Sequence, residues 1–421
     1  MERTDTGNHG IPSEISIKEL MENLPPMSPE CCIYRVPKRL RVLKEKTYTP
    51  QAVSIGPFHR GKENLQAMEE HKLRYLQSFL NRVGMSLDRC MGETKKWEQR
   101  ARDYYAERIE LSSDKFVEML LLDGSFIIEI LWRYNFSMLN EPSDYLNRPH
   151  MIIAVRTDLI LLENQLPFFV LENLFNLIHN SDSKPQHSFL RLSIKYFKNI
   201  TLISNTQQSI STLAEAKHVL DLLRICHLPS STRSQPIGGV KFVTIRNATE
   251  LKEAGMKFNS GSSKHLLDIQ YTMGSLEIPH FSINDSTESL LRNLIALEHC
   301  HYTLDSYIMD YVFFMDNLID TVKDADLLIQ RGIIQNLLGD SSEVAGLFNN
   351  LTSEMLWWSE NYYFHDTCEK LNAYCKVTRH KWKAKLEHDY FSTPWRTAST
   401  VAAFILLVLS FIQTICSIIS P

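Results

Sequence analysis

Residues 398–419 read ASTVAAFILLVLSFIQTICSII, and none of these 22 positions is charged. As a helix the stretch reaches about 33 Å, enough to cross a hydrocarbon core about 30 Å thick. It divides the chain into a globular body and one membrane-spanning helix. The competing reading is a buried core helix, but apolar runs of about 18 residues or more seldom serve that purpose. Trp395 and Arg396 stand where an interfacial aromatic and a flanking cation belong, and Lys376, Arg379, Lys381, Lys383 and Lys385 crowd the same side. Ser399, Thr400, Ser410, Gln413, Thr414 and Ser417 make the span moderately polar, which leaves room for partner helices in the bilayer.

The opposite end, MERTDTGNHG at 1–10, is polar, and no apolar segment follows it. No signal peptide is expected, so the span is inserted after synthesis and the body stays in the cytosol. The basic flank agrees with that orientation. Five Asn-x-Ser/Thr sequons begin at Asn135, Asn199, Asn247, Asn284 and Asn350. In the cytosol they would stay unmodified, so they report topology.

The 421 residues are 44% hydrophobic and 22% charged, ample for an ordinary globular core ahead of the span. A net charge of −4, with no basic stripe interleaved with aromatics, argues against nucleic acid as a partner. The eight cysteines are scattered without a framework, as reduced cytosolic thiols would be.

Residues 1–30 form a leader ending in Pro25, Pro26 and Pro29. The segment 51–55 is a strand candidate closed by Gly56 and Pro57. Leu65, Met68, Tyr75, Leu76, Phe79, Leu80 and Val83 then recur at helical spacing until Gly84. A second amphipathic stretch, 97–109, leads to Ser112 or Ser113, either of which can cap an apolar helix over 115–132. Pro149 opens another apolar stretch that Pro167 should kink or break. Thr212 and Glu215 read as a capping box, and 229–239 is the best internal linker. Asn247 and Glu250 cap a short helix stopped by Gly255. The period then changes to two around Met273-Gly274, which predicts a hairpin. Residues 285–375 revert to helices. The expected architecture is α+β and mainly helical, with a small antiparallel hairpin.

Chemistry is harder to find. Residues 56–63, GPFHRGKE, fit G-x-x-x-x-G-K but place Glu63 where a phosphate loop needs a hydroxyl, and Pro57 removes an N–H from the cradle. A structural turn presenting His59 and Arg60 at the surface is the favoured reading. His365, Cys368 and Cys375 share a helical face of roughly 80°, yet the two cysteines lie about 10.5 Å apart along it, too far for one zinc ion. No metal site and no cofactor are expected.

Buried polar groups are the stronger anomaly. Asp123 lies about 140° from Glu118 on its helix, among Leu and Ile, so it needs a partner or a raised pKa. On a continuous helix Arg156 and Glu163 would share one face, and Asp158 and Gln165 another. These are read as polar staples fixing register rather than as a catalytic carboxylate pair.

Several segments together resemble a known family. They are CIYRVP at 32–37, YTPQAVSIGPFH at 48–59, MEEHK at 68–72, LENQLPF at 162–168, and DYFSTPW at 389–395. The combination is similar to the plant family named for domain of unknown function 247, from about residue 32 to the anchor. The resemblance implies a plant single-pass membrane protein. Some grass members are implicated as pollen-side determinants of self-incompatibility, which suggests recognition or signalling. The family offers no catalytic residue to carry over. The expected organisation is a 1–30 leader, a cytosolic family domain over 31–391, which the 229–239 linker would divide if it holds two lobes, and a juxtamembrane segment with the anchor over 392–421. The expected partners are the bilayer, through 398–419, and an unknown protein, and the membrane is the plasma membrane or an endomembrane. The rival is a membrane-tethered enzyme using the 56–63 loop or a buried carboxylate.

Overall fold

The computed structural model describes residues 21, 28–136, 145–178, 188–202, 210–229, 242–353, 361–377 and 394–419. In the first half the helices are α1 (Lys38–Leu43), α2 (Ala67–Val83), α3 (Leu87–Lys95), α4 (Glu98–Asp103), α5 (Ser113–Asn135), α6 (Pro149–Asp158), α7 (Phe168–Leu177) and α8 (Phe189–Phe197). The second half adds α9 (Ile210–Leu213), α10 (Val219–His227), α11 (Ala248–Glu253), α12 (Thr287–Cys300), α13 (Tyr307–Leu318), α14 (Val322–Gln330), α15 (Ser341–Leu351), α16 (His365–Lys376) and α17 (Pro394–Ile419). Strands β1 (Lys257–Gly261), β2 (Gln270–Thr272), β3 (Ser275–Pro279), β4 (Phe281–Ile283) and β5 (Ile334–Asn336) lie among them. The protein is α+β and mainly helical, as its sequence predicts.

Helix α5 organises the first half. Ser112 caps it by accepting from the Lys115 N–H, and from Phe116 to Leu131 every side chain except Glu118 is buried. A helix that is apolar all round must be enclosed. Helices α2, α3, α7 and α8 enclose it. Helix α2 contributes Met68, Tyr75 and Phe79, and it ends where Gly84 adopts φ +69. In the second half α12 plays the same part, packing on α10, α13, α15 and the turn Glu45–Tyr48. One cluster of buried hydrophobics extends from Cys32 to Cys375.

The hairpin forms as expected, with Thr272 opposite Ser275. Met273 and Gly274 make the turn at φ 41 and 85, the left-handed pair that lets a two-residue turn follow the strand twist. Strand β1 then adds in parallel to β3, and β5 in parallel to β4. Asn247 caps α11 as expected, its Oδ1 accepting from the Glu250 N–H at 2.9 Å.

Four expectations change. Residues 51–55 form no strand, because side chains rather than a neighbouring strand take their N–H groups. The 97–109 helix shrinks to α4, since Ile33 and Tyr105 form a bridge that takes the chain out of helix. Thr212 lies inside α9, and the longer helix after it is capped by His218, whose Nδ1 accepts from the Asp221 N–H. The helix from Pro149 stops at Asp158, because Asn164 and Gln165 donate to the carbonyls of Asp158, Leu159 and Leu161. Most of the 1–30 leader and of the 229–239 linker lies outside the described residues, as do Arg379, Lys381, Lys383 and Lys385.

Replacing Asn247 by Ala should cost about 1 kcal/mol in urea unfolding of the detergent-solubilised chain, whereas Asp, which also caps, should be nearly neutral.

Candidate functional site

The polar residues expected to act as staples meet around residues 51–56. Asp123 is 0% exposed. Its Oδ1 accepts from Lys72 Nζ at 2.7 Å, and its Oδ2 from the Gly56 N–H at 2.9 Å. Lys72 projects from the apolar stripe of α2, is itself buried, and also donates to Ser54 O and to Glu69, at 2.7 Å from the latter. Burial pushes the Asp123 carboxyl up and the Lys72 ammonium opposes it. Gly56 cannot carry a side chain, since a Cβ there would meet Gln165 O at 2.6 Å and φ is +71.

Asp158, at the end of α6, accepts from the N–H groups of Gln51, Ala52 and Val53 at 2.6–3.1 Å. Burial pushes it up to about 6 against those three bonds, which favour the carboxylate. Asn164 takes the Ile55 N–H at 2.7 Å and donates to Val53 O at 3.0 Å. The extended segment is thus hydrogen-bonded to side chains as it would be to a strand.

Glu163 holds the preceding segment. It accepts from the Val36 N–H at 2.7 Å, pairs with Arg41, and lies 3.2 Å from His59 Nε2. Burial raises this carboxyl, but His59, Arg41 and Val36 outweigh burial and hold it below the usual range. Burial also lowers His59, against the pull of Glu163. Gln165 accepts from Tyr105 through its carbonyl and from the Leu220 N–H through its side chain. Asn293 of α12 accepts from the Leu162 N–H and donates to Thr47 O, joining the second half to this scaffold.

A second set repeats the arrangement. Glu298 pairs with Arg224 at 2.8 Å and takes the N–H groups of Ile308 and Met309, which begin α13. The Arg224 guanidinium lies 3.7 Å over the Tyr302 ring, and Tyr302 donates to Asp221.

Asp123, Asp158, Glu163 and Gln165 therefore come together, as clamps on backbone. His59 is buried against Glu163 rather than presented at the surface, and Arg60 beside it is half-buried. Arg156 does not share a face with Glu163, since the helix has ended by then; its guanidinium stacks over Tyr134 and Tyr196. The 56–63 loop makes no phosphate cradle. Its Gly56 N–H is already bonded to Asp123, and Met119–Asp123, an apolar run ending in an acid as in the strand that accompanies a phosphate loop, is helix. Trp395 and Arg396 fall in the first turn of α17. Among the described residues no group of three His, Cys, Asp or Glu is placed to hold a metal ion.

Sequence reasoning passed over Lys72, Asn164, Arg41 and Asn293. For Lys72 there was a signal, a lysine four residues after Met68 and three before Tyr75 on an apolar stripe. The clamp offers no opening to a substrate, because its three carboxylates and two side-chain amides are at most 2% exposed. An open groove of about 400 Å³ is lined by Lys44, Asn284, Glu288 and Glu343, and by none of the clamp residues.

The chain is thus a helical α+β body clamped by buried carboxylates, followed by one long apolar helix. It belongs to the family described as plant protein of unknown function, DUF247, whose model matches residues 33–409. It is 28% identical to UPF0481 protein At3g47200 of Arabidopsis thaliana, over 93% of this chain and 87% of that one. To the putative UPF0481 protein At3g02645 of the same plant it is 22% identical, over 90% and 89%. No solved structure matches the chain.

Asp123→Leu strands the Gly56 N–H and takes from Lys72 its buried carboxylate, leaving it only Glu69 and Ser54 O, and should cost about 3 kcal/mol in urea unfolding. Asp123→Asn keeps an acceptor for one of the two donors and should cost clearly less.

His218 and His227 are lowered to about 4 by burial, and each accepts a backbone N–H through a ring nitrogen that must stay unprotonated. Unfolded, they titrate near 6.5, so between about pH 6.5 and 4 these two sites bind more protons in the unfolded chain than in the folded one. Their contribution is present above about pH 6.5 and lost as pH falls. The thermal midpoint should drop between about pH 7 and 5, and His218→Asn, which can still cap α10, should flatten that slope by about one proton.

Proposed function

We propose that this is a membrane-tethered recognition or signalling protein, its body held in the cytosol by α17 and offering a surface to a protein partner. The carrying observation is the helix itself. Residues Ala398–Ile415 are long and apolar enough to cross a bilayer, and none of them is buried against the body. Phe404, Leu406, Leu407 and Phe411 are all more than half exposed, a surface that water does not tolerate and lipid does.

The inaccessibility of the clamp supports binding over catalysis, because a catalytic acid must touch its substrate and these acids touch backbone. The cytosolic orientation is supported by Asn135. Its Nδ2, the atom a glycan would take, donates to Leu131 O and Leu192 O, so modification there, which replaces one of its two hydrogens, would break at least one of these contacts.

Full-length protein expressed in plant cells should stay in the membrane fraction through an alkaline wash, and a chain ending at residue 393 should move to the soluble fraction. Persistence of the truncated chain in the washed pellet would contradict a single anchor. Endoglycosidase treatment should leave the mobility unchanged; a shift abolished by replacing the five sequon asparagines would place the body in the lumen. Proximity labelling should return a discrete set of proteins not labelled by α17 fused to a reporter. Identical sets would contradict the recognition role.

A further inference from the structure

We infer that the β2–β3 hairpin tip and the end of α16 form a second, lipid-facing contact that docks the body on an anionic bilayer surface. The inference rests on the tether proposed above and adds an orientation to it. Met273 is 99% exposed and sits at φ 41, a conformation that Asn or Gly adopts far more readily. A large apolar side chain at the most projecting point of a turn gains nothing from the body.

The tip is fixed to the helix that leads toward the anchor. The Gly274 backbone lies against the Tyr374 ring, where an added Cβ would sit 3.0 Å from ring atoms. The Tyr374 hydroxyl donates to Gly255 O, and Tyr271 and Tyr374 meet edge to face at 6.3 Å. Helix α16 ends at Lys376, and Val377, directly after it, is 44% exposed. In sequence, Val377 precedes the start of α17 at Pro394 by seventeen positions, so of the described body this helix end is the part nearest the anchor along the chain.

The charge at this end suits lipid headgroups. Lys257 begins β1, and its N–H donates to Gly274 O beside the turn. Lys252 stands at the end of α11, where its carbonyl accepts from the Gly255 N–H. Lys376 closes α16. All three side chains are exposed, with Glu253 beside Lys252 and Glu277 of β3 the exposed acids near them. An apolar point with three lysines on the elements that meet behind it matches a bilayer interface, where the apolar group enters the acyl boundary and the ammonium groups meet anionic headgroups.

The test uses the full chain in nanodiscs, with a nitroxide placed by Met273→Cys and the unlabelled-site chain as background for the native cysteines. In phosphatidylserine-containing discs the nitroxide should be relaxed by oxygen in preference to a water-soluble nickel complex. That preference should reverse in phosphatidylcholine discs, and in phosphatidylserine discs when Lys252, Lys257 and Lys376 are all changed to Glu. A label from Val42→Cys, on α1, should stay in water throughout. Unchanged thermal melting of each variant confirms folding. A chain that resists alkaline extraction yet leaves the residue 273 label in water in both lipids overturns the docking surface and leaves the tether standing. A chain that the alkaline wash strips from the bilayer overturns the tether, and this inference with it.

Discussion

The buried pair of Lys72 and Asp123 is what the first half of the fold depends on. An ammonium and a carboxylate taken out of water each carry a desolvation cost of several kcal/mol, repaid only when every remaining donor and acceptor is satisfied. Here Asp123 also takes the Gly56 N–H, and Lys72 also donates to Ser54 O and Glu69. The pair therefore does more than join α2 to α5. It fixes the backbone at 54–56, and Asp158 and Asn164 continue that hold from Gln51 to Ile55. Apolar packing alone would be indifferent to small slides of α2 along α5; a pair that is stranded by any slide is not.

The same logic explains why a protein of this size uses so little sheet. A buried extended segment needs partners for its N–H and C=O groups. In this chain neighbouring carboxylates and amides supply them, so 53–56 lies in the core without a strand beside it. Glu298 does the equivalent for the start of α13, taking the Ile308 and Met309 N–H groups.

Much of this could be read in the residues. The all-round apolar character of 116–131 gave a central helix, Gly84 and Gly255 gave α2 and α11 their ends, and Met273-Gly274 gave the hairpin. Asp123 stood out because it interrupted that apolar surface. What could not be read was pairing at long range. Nothing near Asp158 indicates that its partners are three amides more than a hundred residues earlier, and periodicity made residues 149–166 look like one helix, when Asn164 and Gln165 fold back to close it at Asp158. His59 looked like a surface residue because it sits in a Gly-Pro turn beside Arg60 and Lys62; its partner, Glu163, lies more than a hundred residues later. Strands β1 and β5 were missed because their pairing is parallel and distant, and five or three residues carry too little alternation to declare it.

A body clamped from within and followed by an exposed apolar helix fits the tethered role proposed above. The account stands or falls on the claim that side chains protect residues 51–56 as a sheet would. Native-state hydrogen exchange of the full chain, resolved to the amides of Gln51, Ala52, Val53, Ile55 and Gly56, measures this directly. The account predicts that these amides exchange only with the opening that also frees the core of α5. Exchange at the rate of the exposed loops, with α5 still protected, would contradict it.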